Sequence, residues 1–139
     1  MADEVMGVVE GDGYAVANVD GLGEGPGFRK VRPELGVTAF GVNAIVLPAG
    51  YETGRHFHEH QQELYFVHRG RIEITLNDET THTLGPGGLA RVDAETIRKI
   101  KNVGDAECMY LVTGGKDGYV GRDGKLPEGE TSRVGRSQS

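Results

Sequence analysis

The stretch that carries most of the structural and chemical information is residues 50–70, which read GYETGRHFHEHQQELYFVHRG. His56 and His58 lie two positions apart in it, and Glu63 follows five residues after the second histidine. Side chains at positions i and i+2 of a β-strand leave by the same face, so the two imidazoles are predicted to point together. Glu63 rejoins that face only if the chain turns within residues 59–62 and the glutamate begins the next strand.

These three side chains are the predicted metal ligands. Two imidazoles and one carboxylate that converge inside a barrel form a three-ligand set that leaves coordination positions open for water, oxygen or substrate. Nitrogen and oxygen ligands of this kind suit Fe(II), Mn(II), Ni(II) or Zn(II), and the sequence selects none of the four.

The surrounding sequence is typical of an all-β protein. From residue 36 to residue 114, short β-branched or aromatic runs are broken every eight to twelve positions by turn residues, which predicts a sandwich or barrel. The predicted strands are residues 38–47, 55–60, 63–68, 71–76, 80–84, 89–92, 97–101 and 107–113. Turns are predicted at Asn77-Asp78 and at residues 85–88.

Three regions follow from composition. Residues 1–35 are predicted to form an N-terminal arm with at most one or two short strands, because the glycine-dense residues 21–27 cannot hold a helix. Residues 36–114 are predicted to form the barrel. Residues 115–139 contain few branched aliphatic side chains and are predicted to be a flexible C-terminal tail, with docking on a partner subunit as the alternative.

The same residues also match a known sequence pattern, G-x5-H-x-H-x4-E-x6-G, from Gly50 through His56, His58 and Glu63 to Gly70. In this respect the chain resembles the cupin superfamily, of the small single-domain type. The resemblance implies a double-stranded β-helix, or jelly-roll barrel, over roughly residues 36–114, with the matched histidines and glutamate on its inner wall.

The second cupin motif, G-x5-P-x-G-x2-H-x3-N, is where the chain departs from the family. Alignment of Gly87 and Asn102 with its ends places Arg98 where the fourth metal ligand, a histidine, is expected. Arginine stays protonated and has no lone pair for a metal. Three interpretations stay open: Arg98 pairs with Glu63 in a site without metal, it clamps a substrate carboxylate or enolate beside a three-ligand metal, or it points outward. The clamp requires an acidic ligand, since a buried guanidinium beside a cation is costly unless an anion bridges them.

Two neighbouring side chains, Tyr65 and His60, each have two interpretations. Tyr65 shares the face of Glu63, so its phenol either lines the pocket as a hydrogen-bond donor or weak acid, or packs in the core with a satisfied hydroxyl. His60 continues the histidine alternation and could replace the missing ligand, but its place in the turn favours a solvent-exposed side chain.

Leu64 and Phe66 are predicted to face outward. Large apolar side chains on an outer sheet face usually pack against another surface, and a homodimer is expected to provide that surface.

Composition limits the partners. The chain has 139 residues, enough for one domain, and carries 15 Lys and Arg against 21 Asp and Glu, a net charge of -6 that argues against nucleic-acid binding. The sequence lacks an apolar run of about 18 residues, so a membrane span is not expected. The acidic N-terminus differs from a secretory signal, and the single Cys108 lies in an apolar run, so a cytoplasmic protein with a buried structural cysteine is predicted.

Two functions of different class follow. In the first, the barrel binds a divalent metal and acts on a small oxygenated or carboxylate-bearing metabolite, as a dioxygenase, isomerase or decarboxylase, while Arg98 or Tyr65 steadies developing charge. In the second, a metal-free barrel in which Arg98 neutralises Glu63 binds or senses a small ligand. A structural subunit that binds another protein through Leu64 and Phe66 is a third, weaker hypothesis. The fold alone does not choose among them.

Overall fold

The computed structural model describes residues 3–121 and 123–130 of the chain. Strands dominate these residues, with one five-residue helix, α1 (Val31–Leu35), and a 3₁₀ turn at Val19–Gly21. The strands are β1 (Val9–Gly11), β2 (Tyr14–Val16), β3 (Gly27–Arg29), β4 (Gly41–Leu47), β5 (Phe57–His58), β6 (Gln62–Arg69), β7 (Ile72–Leu76), β8 (Thr80–Leu84), β9 (Leu89–Val92), β10 (Arg98–Asn102), β11 (Cys108–Gly115) and β12 (Gly124–Lys125).

Two antiparallel sheets enclose the core. The larger has the strand order β3-β4-β11-β6-β9 and the smaller β10-β7-β8. One buried cluster contains side chains of both sheets, so the sheets face each other across it. Its members are Ile45, Leu47, Tyr65, Val67, Ile72, Ile74, Val92, Ile100, Cys108, Tyr110 and Val112. Each fully buried aliphatic side chain contributes about 1.5–3 kcal/mol, so this cluster is the main source of stability.

Strand β6 shows how the sequence pattern becomes structure. Its side chains alternate between exposed and buried from Gln62 to His68, with Glu63, Tyr65 and Val67 on the buried face. Strict alternation is the pattern of a strand with one face on the core. This strand therefore carries both apolar packing groups and Glu63 into the barrel.

The predicted strands agree with the observed ones to within a few residues, except at 55–60. Residues 80–84 and 89–92 match in full, and Asn77 and Asp78, at φ +53° and +58°, form the tight turn between β7 and β8. Only Phe57–His58 of the predicted strand 55–60 is a strand, because His56 instead makes an isolated bridge to Arg98.

The N-terminal region contributes more to the sheet than expected. It contains three strands where at most two were predicted, and β3 pairs with β4 in the larger sheet. Phe28, at the centre of β3, packs against the core cluster. The sheet thus begins before residue 36, because one short run within the glycine-rich region has an apolar side chain to bury.

The C-terminal region also differs from the expected flexible tail over the part that the structure describes. Strand β12 pairs with β5, where Gly124 lies opposite His58, and Asp123 is buried. This attachment consists of backbone and carboxylate hydrogen bonds, which an argument from apolar composition cannot detect. The last nine residues of the predicted tail, 131–139, lie outside the described residues.

Among the described residues, helix length and apolarity nowhere reach what a membrane-spanning helix requires.

Candidate metal centre

The structure brings the three predicted ligands together on the inner wall of the barrel. His58 lies on β5 and Glu63 on β6, while His56 exchanges two backbone hydrogen bonds with Arg98, of 3.0 and 2.9 Å. The potential ligand atoms of His56, His58 and Glu63 all lie within 4.8 Å of one another. The two imidazole rings meet edge to face, with centroids 5.4 Å apart.

Several polar atoms of this cluster have no hydrogen-bond partner among the residues that the structure describes. They are both ring nitrogens of His56, Nε2 of His58 and Oε2 of Glu63, and the three side chains are at most 1% exposed. A buried polar atom without a partner costs about 1–3 kcal/mol. A cation held by one nitrogen of each ring and a carboxylate oxygen would satisfy all but one nitrogen of His56, and this donor set is one that divalent transition metals accept.

The charge states of the ligands also suit a cation. Burial lowers the pKa of His56 to about 4, despite the opposing charge of Glu63, so its ring is neutral at pH 7 and has a lone pair to donate. Burial alone would raise the pKa of Glu63. The nearby His58 imidazole, the charge of Arg98 and the hydrogen bond from Tyr65 together outweigh it, so this pKa lies below its ordinary value and the group is a carboxylate.

Tyr65 faces Glu63, as its position on the strand predicted. Its hydroxyl donates a 2.7 Å hydrogen bond to Oε1 of Glu63, and both groups are buried. Burial and the charge of Glu63 raise the pKa of Tyr65 well above its usual value, so it remains a donor. The hydroxyl is therefore committed to orienting the carboxylate. The hydroxyl of the neighbouring Tyr110 is buried and has no partner among the described residues.

Arg98 points into the barrel and is fully buried, so the outward-facing interpretation is wrong. Its Nη2 lies 3.7 Å from Oε1 of Glu63, close enough for charge attraction but not for a hydrogen bond. Both terminal nitrogens donate twice to backbone carbonyls of one loop. These acceptors are the oxygens of Ala94 (3.1 Å), Thr96 (2.8 Å), Val92 (3.4 Å) and Asp93 (3.2 Å).

These bonds limit what Arg98 can do. The guanidinium has five N–H donors, and the four on the terminal nitrogens are in use. Nε is buried without a partner in the described protein. A bidentate clamp on a substrate carboxylate would break the loop contacts, so Arg98 offers a ligand its charge and a single N–H.

Two further residues contact His58 and were not assigned a role from sequence. The Nε2 atom of Gln61 lies 2.9 Å from Nδ1 of His58, and Gln61 is fully buried. Oδ2 of Asp123 lies 3.7 Å from the same ring nitrogen. The alternation of β6 could have revealed Gln61, since it precedes Glu63 by two positions. No sequence pattern pointed to Asp123, because its position near His58 depends on the pairing of β12 with β5.

The Asp123 carboxylate is held by the backbone. Its Oδ2 accepts hydrogen bonds from the amides of His60 and Gln61, each at 2.8 Å. Burial would raise the pKa of Asp123, but these two hydrogen bonds outweigh it and lower that pKa, so the group is charged.

The remaining side chains lie where the pattern predicted. His60 is exposed and lies outside the three-residue cluster. Leu64 and Phe66 are exposed by 44% and 38%, and Cys108 is buried as a free thiol.

A surface cleft of about 400 Å³ adjoins the cluster. Its lining carries both signs of charge, with Glu63 and Asp117 against Arg91 and Lys116.

Comparison with known proteins agrees with this architecture. The sequence matches the family described as "Cupin domain" over residues 43–114. Among curated proteins it is similar to polyketide synthase CurC of Streptomyces cyaneus, with 26% identity over 77 residues, 55% of this chain and 49% of that protein. The chain thus spans about half the length of this relative.

Two solved structures illustrate the likeness of fold. The Cnp3 cupin domain of Schizosaccharomyces pombe is 26% identical, with a TM-score of 0.53 over 56% of each chain. A sugar phosphate isomerase of Silicibacter pomeroyi, described as from a cupin superfamily, is 22% identical. Its TM-score is 0.60, and the match covers 79% of this chain and 78% of that one. The predicted double-stranded β-helix is confirmed. Because the family match extends over slightly more than half of its residues, this protein belongs to the cupin domain family.

Proposed function

We propose that this cupin binds one divalent transition metal, of the Fe, Mn, Ni or Zn type, through His56, His58 and Glu63 and acts on a small oxygenated or carboxylate-bearing metabolite. The observation that carries the proposal is a buried cluster of three side chains, each of which offers a ligand atom within 4.8 Å of the other two. When bound, the metal would supply Lewis-acid or oxygen-activating chemistry to the substrate's oxygens, the basis of dioxygenase, isomerase and decarboxylase reactions alike.

The protein's own residues define the surroundings of that chemistry. Tyr65 orients the Glu63 carboxylate through its 2.7 Å hydrogen bond. Arg98 places a permanent positive charge 3.7 Å from the same carboxylate, in a site from which burial excludes water and where charges therefore act strongly. A buried guanidinium beside a divalent cation favours an acidic substrate, whose anion would bridge the two positive charges.

Metal content tests the proposal. Protein prepared without a histidine tag and reconstituted with each metal is expected to retain about one equivalent of at least one of them by plasma mass spectrometry, and His58→Ala is expected to lose it. His60→Ala is the matched control, because His60 is exposed and outside the cluster, and it is expected to keep full metal content. Wild-type protein that retains less than about a tenth of an equivalent of every metal tested would contradict the proposal.

The second candidate function is a metal-free barrel that binds or senses a small ligand. The 3.7 Å separation of Arg98 and Glu63 favours it, because the guanidinium already offsets the charge of the carboxylate. The metal measurement discriminates between the two functions, since only the first requires a bound ion.

We also propose a homodimer formed through the outer face of the larger sheet. Phe66 and Leu89 are paired across β6 and β9, and they are exposed by 38% and 60%, with Leu64 beside them at 44%. The same apolar patch on two copies is self-complementary about a two-fold axis. Light scattering is expected to give twice the chain mass of 14.9 kDa, and Phe66→Glu to give the monomer. Thr83→Glu adds the same charge on the exposed face of β8 in the other sheet and is expected to leave the dimer intact. A wild-type monomer at high concentration would refute the proposal.

The expectations of a cytoplasmic location and of no nucleic-acid or membrane partner stay predictions.

A further inference from the structure

The two ring nitrogens of His58 face different surroundings. Nε2 lies 3.3 Å from Oε1 of Glu63, on the side of the ligand cluster. Nδ1 faces away from the cluster, toward Gln61 at 2.9 Å and Asp123 at 3.7 Å. A neutral imidazole carries one proton, and the nitrogen without it has the lone pair. His58 can therefore donate to a metal from Nε2 only if its proton is on Nδ1.

Gln61 occupies the position from which this proton can be held. Its amide nitrogen faces Nδ1, while its amide oxygen is buried without a partner among the described residues. Rotation of the amide by half a turn exchanges the two atoms without moving the rest of the side chain. The oxygen then faces Nδ1 and accepts its proton at the same 2.9 Å separation.

Asp123 favours the same proton position electrostatically. Its carboxylate is held by the amides of His60 and Gln61, so it cannot turn away from the ring without breaking two 2.8 Å hydrogen bonds. A negative charge at 3.7 Å from Nδ1, in a buried site, stabilises the imidazole dipole that presents N–H toward it, and so opposes the Glu63 carboxylate, which lies 3.3 Å from Nε2 and attracts the same proton. A cation in the cluster would remove this competition, because it would repel a proton on Nε2. The register of β12 with β5, in which Gly124 lies opposite His58, delivers the carboxylate to this position.

We propose that Gln61 and Asp123 are positioning residues that hold His58 with its proton on Nδ1, so that the lone pair of Nε2 is directed at the cluster formed with His56 and Glu63. The inference rests on the proposed metal-binding function. It makes residues 123–125 of the C-terminal region a part of the metal centre, although their own side chains supply no ligand.

Nuclear magnetic resonance tests the proton position without any metal. In the full chain at neutral pH, long-range ¹H–¹⁵N spectra of the His58 ring are expected to show a larger fraction of molecules with the proton on Nδ1 in the wild type than in Asp123→Asn, since the competing Glu63 carboxylate is the same in both proteins. Asp123→Asn removes the charge at nearly constant volume and is expected to move the proton toward Nε2 in a measurable fraction of molecules. An equal fraction of Nδ1-protonated rings in the wild type and in Asp123→Asn would overturn the inference.

Zinc affinity, measured by competition with a chromophoric chelator, provides the second readout. Asp123→Asn and Gln61→Met are each expected to weaken Zn²⁺ binding by about 10- to 100-fold, the usual effect of removing a group that orients a metal-bound histidine. Glu59→Gln is the matched control. Glu59 forms a 3.1 Å ion pair with Lys125 of the same C-terminal segment, so this variant removes a nearby acid without changing the contacts of the His58 ring.

The outcomes separate this inference from the proposed function. Wild-type protein that binds no Zn²⁺ or other metal refutes the proposed function, whereas the ring spectra still decide the role of Gln61 and Asp123. Zinc affinities of Asp123→Asn and Gln61→Met that equal that of Glu59→Gln would overturn the inference. Circular dichroism identifies a variant that does not fold, in which case the remaining variant decides.

Discussion

Replacement of Arg98 by methionine is expected to lower the free energy of unfolding of the metal-free protein by about 3–5 kcal/mol. The substitution removes four hydrogen bonds to the loop of residues 92–96 and leaves the buried Glu63 carboxylate without its cationic neighbour. Removal of one member of a buried charge pair is costly because the other charge stays buried. Urea denaturation monitored by circular dichroism measures the loss.

Lys99→Met provides the control for this prediction. Lys99 is the next residue, also a cation, and its 3.2 Å ion pair with Glu52 lies at the surface, so its loss is expected to cost less than about 1 kcal/mol. An effect of Arg98→Met no larger than that of Lys99→Met would show that Arg98 does not hold the loop and the carboxylate. In that case the guanidinium would be available to clamp a ligand.

Gly70→Ala is expected to lower the free energy of unfolding by about 2–5 kcal/mol. Gly70 has φ +86°, a conformation that costs an alanine about 1–2 kcal/mol. A Cβ at this position would also lie 2.5 Å from Cβ and 2.8 Å from Cα of Cys108, which belongs to the buried core. Crowding of a packed core usually costs about 1–3 kcal/mol more. The same denaturation experiment measures the sum.

Two glycine controls separate the causes. Gly36 has φ +73° with open space around it, so Gly36→Ala reports the backbone strain alone. Gly85 has neither a positive φ nor an atom within 4 Å of a built Cβ, so Gly85→Ala is expected to change the stability little. A Gly70→Ala loss equal to that of Gly36→Ala would mean that Cys108 and its strand move aside without cost. The last glycine of the cupin pattern would then serve the turn and not the close approach of β11.

Local patterns in the sequence predicted much of the fold. The hairpin of β7 and β8 was predictable because Asn77 and Asp78 tolerate the left-handed conformation that the turn requires. The interior face of β6 was predictable because alternation along a strand does not depend on distant residues. The attachment of β3 and β12 was not predictable, since a strand of two or three residues acquires its partner only when the rest of the sheet is present.

For the candidate site, the cupin family and the shared inner-wall position of His56, His58 and Glu63 with Tyr65 were predictable without a structure, because residue identity and strand period are local properties. The partners of those groups became visible only in the folded chain. The terminal nitrogens of Arg98 donate to backbone carbonyls of residues 92–96. Asp123 lies near His58 because it immediately precedes β12, which pairs with β5. Both contacts depend on which strands pair and in which register. Register is set by the packing of the whole barrel and is not contained in any short segment.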